Sequence, residues 1–204
     1  MGERSWITAW RMLGVPAPEA ALLQRLTAAW RESQRHYHTL QHLEECLLWL
    51  ESEQSAAAQP AEVALALWFH DAVYDVHAHD NEARSADWAR HEMLGAGVAA
   101  ERAERVHALV LATKHDALPQ GRDAELLVDI DLAILGAAHQ RFEEYERQVR
   151  AEYAHVPDAQ FWPRRRALLQ RFLARDALYA TPRMHALLEQ PARANLARSI
   201  ASIG

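Results

Sequence analysis

Twelve histidines occur in the chain, and nine of them fall between His36 and His115. Imidazole is the commonest protein metal ligand and titrates near neutrality, so such a cluster suits coordination or proton transfer. His38 and His42 stand four residues apart in Arg35-His36-Tyr37-His38-Thr39-Leu40-Gln41-His42, close together if the helix there already includes His38. The pair His-Asp occurs three times, at His70-Asp71, His79-Asp80 and His115-Asp116, and a dipeptide alone specifies little. Only His70-Asp71 ends a strongly apolar run, where burial strips both side chains of water and a divalent cation would offset that cost. Further on, Val128-Asp129-Ile130-Asp131-Leu132 sets two carboxylates in an apolar helix. At least one of Asp129 and Asp131 is expected to be a ligand or part of a buried pair, and one to face solvent.

Other polar positions carry weaker signals. Lys114 and His115 follow an apolar helix and precede a turn, which makes them candidates for a phosphate contact or a second-metal ligand. The run Arg164-Arg165-Arg166, with Arg171 and Arg175, is expected to be the solvated face of a helix. His77, His91, His107, His139, His155 and His185 sit in no pattern that chemistry requires. The chain has no Walker loop, no dinucleotide glycine fingerprint and no Cys-x-x-Cys pair, and its single cysteine, Cys46, is expected in or near the core.

The elements that must position these groups are helical nearly throughout. Leu22, Leu23, Leu26, Ala29 and Trp30 recur at three- and four-residue spacing, as do Leu43, Leu47 and Leu50, and no alternating strand is visible. Helices are expected over about 4–14, 18–33 and 39–54, the first two separated by Pro16 and Pro18. Pro60 opens a helix to His70-Asp71 that is apolar on most faces and therefore central. Asp80 or Asn81 is available as N-cap of a helix through Leu94 that Gly95 and Gly97 stop. A helix over about 99–114 comes next. Asp123 then caps one carrying Leu126, Leu127, Ile130, Leu132 and Leu135 to Gly136, with segments at about 138–154 and 159–176 beyond it. Thr181-Pro182 starts one or two short terminal helices. The expectation is a single all-α domain over residues 1–204 of roughly nine to eleven helices, its metal-site core at about 36–136 and helices 138–204 packed on that core.

Composition narrows the class. A chain of 204 residues, half of them apolar, can bury a full core, and a charged fraction of 25% is that of a globular protein. The longest apolar stretch, Val63 to Phe69, is far short of the ~20 residues that span a bilayer, and the amino terminus reads as carrying no secretory signal. With one cysteine nothing asks for an oxidising compartment, so the cytoplasm is the expected location. A net charge of −6 opposes sequence-independent binding to a nucleic-acid polymer while allowing small phosphorylated substrates. Nothing fixes the oligomeric state.

The ordered residues His42, His70-Asp71 and Asp131 resemble the signature of the HD superfamily of metal-dependent phosphohydrolases: His, then His-Asp, then Asp on separate helices of an all-α domain. The segments His36 to Leu43, Trp68 to Asp75, Asp80-Asn81-Glu82 with Ser85-Ala86, and Asp129 to Gly136 look like an uncharacterised bacterial branch of it. Arg150-Ala151-Glu152-Tyr153 and Ala192-Arg193-Ala194-Asn195-Leu196 are similar to the same branch. The resemblance implies that His42, His70, Asp71 and Asp131 ligate one divalent ion, with Asp131 preferred to Asp129 because the pattern commonly places the second carboxylate on the metal. It implies a proton-donor role for His38, by similarity to His-x-x-x-His elements of cyclic-nucleotide phosphodiesterases. Some relatives, including the guanosine tetraphosphate hydrolases, carry Glu-Asp where this chain has Tyr74 and Asp75, so Asp75, Asp80 and Glu82 are the candidates to hold a nucleophilic water or support the site.

The expected function is therefore that of a metal-dependent phosphohydrolase acting on a small phosphorylated, nucleotide-like substrate through a metal-activated water. Two imidazoles and two carboxylates suit Mn, Fe, Co, Ni or Zn, with Mg as a further candidate. Two rivals stand beside it. One is a metal-dependent binding or regulatory module without turnover; the other is a structural helical protein whose buried His and Asp pair with each other.

Overall fold

A computed structural model of the protein describes residues 2–16, 18 and 20–203. Among the described residues the secondary structure is entirely helical: α1 (Gly2–Met12), α2 (Ala20–Ala29), α3 (Leu40–Glu53), α4 (Pro60–Phe69), α5 (Asn81–Gly95), α6 (Ala100–Ala112), α7 (Arg122–Asp131), α8 (His139–Glu152), α9 (Asp158–Leu173) and α10 (Pro182–Ser202). Short 3-10 turns cover Gln54–Ala56 and Leu132–Gly136. No described helix is long and apolar enough to cross a membrane. The chain forms two compact units, residues 1–130 and 131–204.

The first unit is built around α4. Every residue from Ala61 to Phe69 is buried, as an apolar run with no polar face requires, and α1, α3, α5 and α6 pack around it. Trp6 of α1 meets Trp68 and Phe69 with ring centroids 5.3 and 6.2 Å apart, and the Trp30 indole donates to the Trp68 carbonyl at 3.1 Å. Glu62 lies in the same buried stretch, and its charge is met by both arms of the Arg105 guanidinium at 2.7 Å. Removing Arg105 would strand a buried carboxylate, the costly way to break such a pair.

The start of α4 is fixed from a distance in sequence. Gln59 at its N-cap makes no side-chain capping bond. Asp123 takes that part instead: its carboxylate accepts from the Ala58 and Gln59 amides at 2.6 and 3.0 Å, while Arg122 donates to the Ala56 and Ser55 carbonyls. Asp123 therefore does not cap its own helix, as the sequence pattern suggested; α7 already begins at Arg122. The periodic run from Leu126 also ends earlier as α-helix, because Leu132–Gly136 tightens into a 3-10 turn. Gly97, at φ +84°, supplies the left-handed turn between α5 and α6.

The second unit packs α10 against the Leu132–Gly136 turn and α9. A Cβ at Gly136 would stand 2.7 Å from the Leu188 Cβ and 2.9 Å from its carbonyl oxygen, so the approach of α10 requires glycine. Asn195 donates to the Leu135 and Ala137 carbonyls at 2.8 and 2.9 Å, and the Tyr179 hydroxyl donates to Leu132 O at 3.0 Å. In place of one or two short terminal helices there is a single helix of 21 residues, with Pro191 inside it. Arg165 is also not on the solvated face of α9. It is buried, paired with Glu146 and set 5.0 Å over the Tyr145 ring. Burial pushes the Tyr145 hydroxyl above the ordinary tyrosine range, against the smaller lowering effect of Arg165.

Candidate metal centre

Two histidines from different helices meet in the core of the first unit. His42 lies in the first turn of α3, which Thr39 caps by accepting from the Gln41 amide at 3.3 Å. His70 is the C-cap of α4. Both are almost wholly enclosed, at 2% and 1% exposure, and their Nε2 atoms stand 3.1 Å apart. Asp71, in the turn after α4, brings its Oδ2 to 3.0 Å from His70 Nε2 and 3.8 Å from His42 Nε2. Asp131 is the last residue of α7, and one ligand atom each from His42, His70 and Asp131 lie within 4.8 Å of one another. These three form a group able to hold a metal ion, and Asp71 borders it.

The protons decide what such a cluster means. His70 Nδ1 is 2.8 Å from the Leu67 carbonyl, which can only accept, so that nitrogen carries the hydrogen and Nε2 presents a lone pair. His42 Nδ1 is hydrogen-bonded to the Tyr37 hydroxyl at 3.0 Å. With the hydrogen on Nδ1 of each ring, two enclosed nitrogen lone pairs and a partly exposed carboxylate oxygen face one another at 3.0 to 3.8 Å. In that tautomer a proton or a cation among them would offset the facing lone pairs, whereas a hydrogen on His42 Nε2 would instead be donated to His70 Nε2. A divalent ion with bonds of ~2.0–2.2 Å sets neighbouring donors about 3.0–3.5 Å apart, a spacing met by the two imidazoles at 3.1 Å and by His70 and Asp71 at 3.0 Å. The donor types, imidazole nitrogen and carboxylate oxygen, fit a first-row divalent metal, and the Leu67 and Tyr37 bonds are the outer partners that orient such ligands.

The other candidates from the sequence are not among these three donors. His38 precedes α3 instead of lying on it, since the helix begins at Leu40. Its ring is nevertheless 6.1 Å from that of His42, and it stacks on Tyr74 at 4.2 Å with 28° between planes. Asp129 is buried and outside the donor group, and Asp131 is the partly exposed one of the two. Asp75, Asp80, Glu82, Lys114 and His115 are also outside it. Asp75 is exposed and shapes its own loop: its carboxylate accepts from the His77 amide at 2.9 Å, and Asn81 bridges its main chain. Asp80 is exposed at the N-cap of α5 without a side-chain capping bond, and stands 3.9 Å from Arg84. Lys114 is exposed and ion-paired to Asp116 at 2.8 Å, which holds its ammonium above the ordinary lysine range, with Glu82 adding a smaller pull. His115 adopts φ +57°, the left-handed region uncommon for a residue with a side chain.

Four residues that matter here carried no mark in the sequence as ligands or catalysts. Tyr37 holds His42, and the Trp30 ring is 5.4 Å from that of His70. Ser85 accepts from the Val73 amide at 3.0 Å and so fixes the far end of the Asp71 turn. Arg35 is buried and reaches the main chain of that same turn. Tyr37 and Arg35 lie directly beside His36 and His38, and that adjacency was the one available signal. Compared with known proteins, the chain matches no family model, no curated protein and no solved structure.

Proposed function

We propose that the protein is a metal-dependent phosphohydrolase of the HD type, acting on a small phosphorylated, nucleotide-like molecule. The observation that carries this reading is the convergence of His42 Nε2, His70 Nε2 and a carboxylate oxygen of Asp131 into one group, with Asp71 Oδ2 against the imidazoles. A divalent ion, when bound, supplies a positive centre that acidifies a water and offsets charge developing on phosphoryl oxygens. The chain's own part is to hold the four donors rigidly, exclude bulk water from the imidazoles, and deliver a proton to the departing oxygen from His38. His38 suits that task because it lies beside His42 without being enclosed, and the stack on Tyr74 limits its ring to one plane. Mn, Fe, Co, Ni and Zn suit the mixed donor set better than Mg, which favours oxygen.

One observation favours a second reading, a metal-dependent binding module without turnover. Tyr74 stands where some relatives have a carboxylate, and its ring is occupied with His38 and lies 5.3 Å from the Arg35 guanidinium. The first test is elemental analysis of protein purified without added metal, beside His70→Ala and Asp131→Ala. About one transition-metal ion per chain, lost in both variants, is the expected result. A wild-type chain that neither carries nor takes up any of these ions would end the metal reading and leave the structural one, in which the buried His and Asp pair with each other. Turnover of any phosphoester that disappears in His70→Ala separates the hydrolase from the binding module.

A further inference from the structure

Arg35 is a charged residue with a buried side chain whose bonds run chiefly to main chain. Its side chain is fully enclosed, and its Nη1 donates to Asp71 O at 2.6 Å and to His38 O at 3.2 Å. Nη2 donates to Ala72 O at 3.2 Å, and Nε to a Glu32 carboxylate oxygen at 3.0 Å. The rings of Trp30 and Tyr74 lie 5.6 and 5.3 Å from the guanidinium carbon. Enclosing a guanidinium is costly, and a single half-exposed carboxylate offsets only part of that. The three carbonyls supply the rest, and two of them belong to the turn just past the C-terminus of α4, where helix geometry leaves carbonyls without partners.

This inference rests on the metal reading above. We infer that Arg35 is a positioning residue of the metal centre: one planar guanidinium ties the main chain of His38 to that of Asp71 and Ala72, fixing the proton donor relative to a carboxylate ligand. The Asp71 carboxylate is within 3.0 Å of His70 Nε2 only while its turn keeps this path, and Ser85 holds the same turn at Val73. Lysine at this position keeps the charge but replaces a flat fork of five donors by a point with three, so it cannot make the four bonds that Nη1, Nη2 and Nε make together.

The test is Arg35→Lys, read by Co(II) titration, by the visible absorption of the bound Co(II), and by the melting of the metal-free protein. The expected result is a Co(II) affinity about tenfold or more below wild type, the range seen for loss of outer ligand support, with an altered visible band in protein that remains folded. Unchanged affinity and an unchanged band in a folded variant with a lowered melting temperature would show a role in stability alone and overturn the inference. If Arg35→Lys lacks the wild-type helical circular dichroism, Glu32→Ala serves in its place, because it removes the acceptor of the Nε hydrogen from outside the core. A loss of about threefold in Co(II) affinity then supports the inference, smaller than the tenfold or more for an outer partner of a ligand because Glu32 acts one bond further out, and no loss overturns it. A wild-type protein that binds no Co(II) ends the metal reading itself, a different outcome from a variant that binds normally.

Discussion

His42 can coordinate through Nε2 only if its other nitrogen keeps the hydrogen, and the Tyr37 hydroxyl is placed to accept it at 3.0 Å. Tyr37 is itself buried, so its phenol oxygen is held by packing before any ion arrives. Tyr37→Phe keeps the ring and its contact with His42, where the centroids are 4.8 Å apart, and removes the hydroxyl. The imidazole is then free to move its hydrogen to Nε2, the atom needed by the metal. We expect the affinity for Co(II) or Zn(II) to fall about tenfold or more while the metal-free protein loses only about 1 kcal/mol of stability, the net worth of one hydrogen bond. Metal titration beside urea denaturation of the metal-free form checks both halves. Unchanged metal affinity in Tyr37→Phe beside a lowered urea midpoint would assign the hydroxyl to stability and not to the ligand.

Between elements, the same logic applies to Asp123, whose carboxylate reaches two amides at the start of α4 from the first turn of α7. Asp123→Ala leaves the α4 N-terminus to water and removes a negative charge from the positive end of its dipole. The expected cost is about 1–2 kcal/mol, read as a lowered urea midpoint at unchanged slope, with metal affinity within about twofold of wild type because His70 lies at the other end of α4. Much of the element map was legible because proline, glycine and apolar spacing are local signals: Pro60 does open α4, and the run from Val63 to Phe69 is its buried body. Asp123 was misread because a carboxylate before an apolar run looks the same whether it caps its own helix or another. His70 and the pair Asp129 and Asp131 stood out as polar groups in apolar surroundings and His42 by its spacing from His38, whereas the preference for Asp131 over Asp129 came from the resemblance. Arg35 did not, since its partners are main-chain carbonyls that any residue supplies. Arg165 was hidden for a related reason: nothing in a run of three arginines says which of them finds a carboxylate on another helix, and Glu146 on α8 decides it.

At the scale of the molecule, the donors come from α3, the end of α4 and the end of α7, with His70 28 positions after His42 and Asp131 61 positions after His70 (131 minus 70). An unfolded chain holds such distant groups together only at a large cost in loop entropy, so the ion binds the folded state almost alone. Binding free energy then becomes stability: at a free ion concentration one hundred times Kd the gain is about 2.7 kcal/mol. For a chain of this length that corresponds to a rise in Tm of about 5–10 °C. Calorimetry of the wild type with saturating Co(II) and with EDTA should show this difference, and the Tm with Co(II) should keep rising as its concentration is raised. In His70→Ala the two melting curves should coincide, because the variant lacks an imidazole at the centre of the group. That variant also separates two sources of stability in the wild type. If His70 served only as a protonated partner of Asp71, its loss would lower the melting temperature by the same amount with and without EDTA, and the wild-type curves would not respond to the chelator.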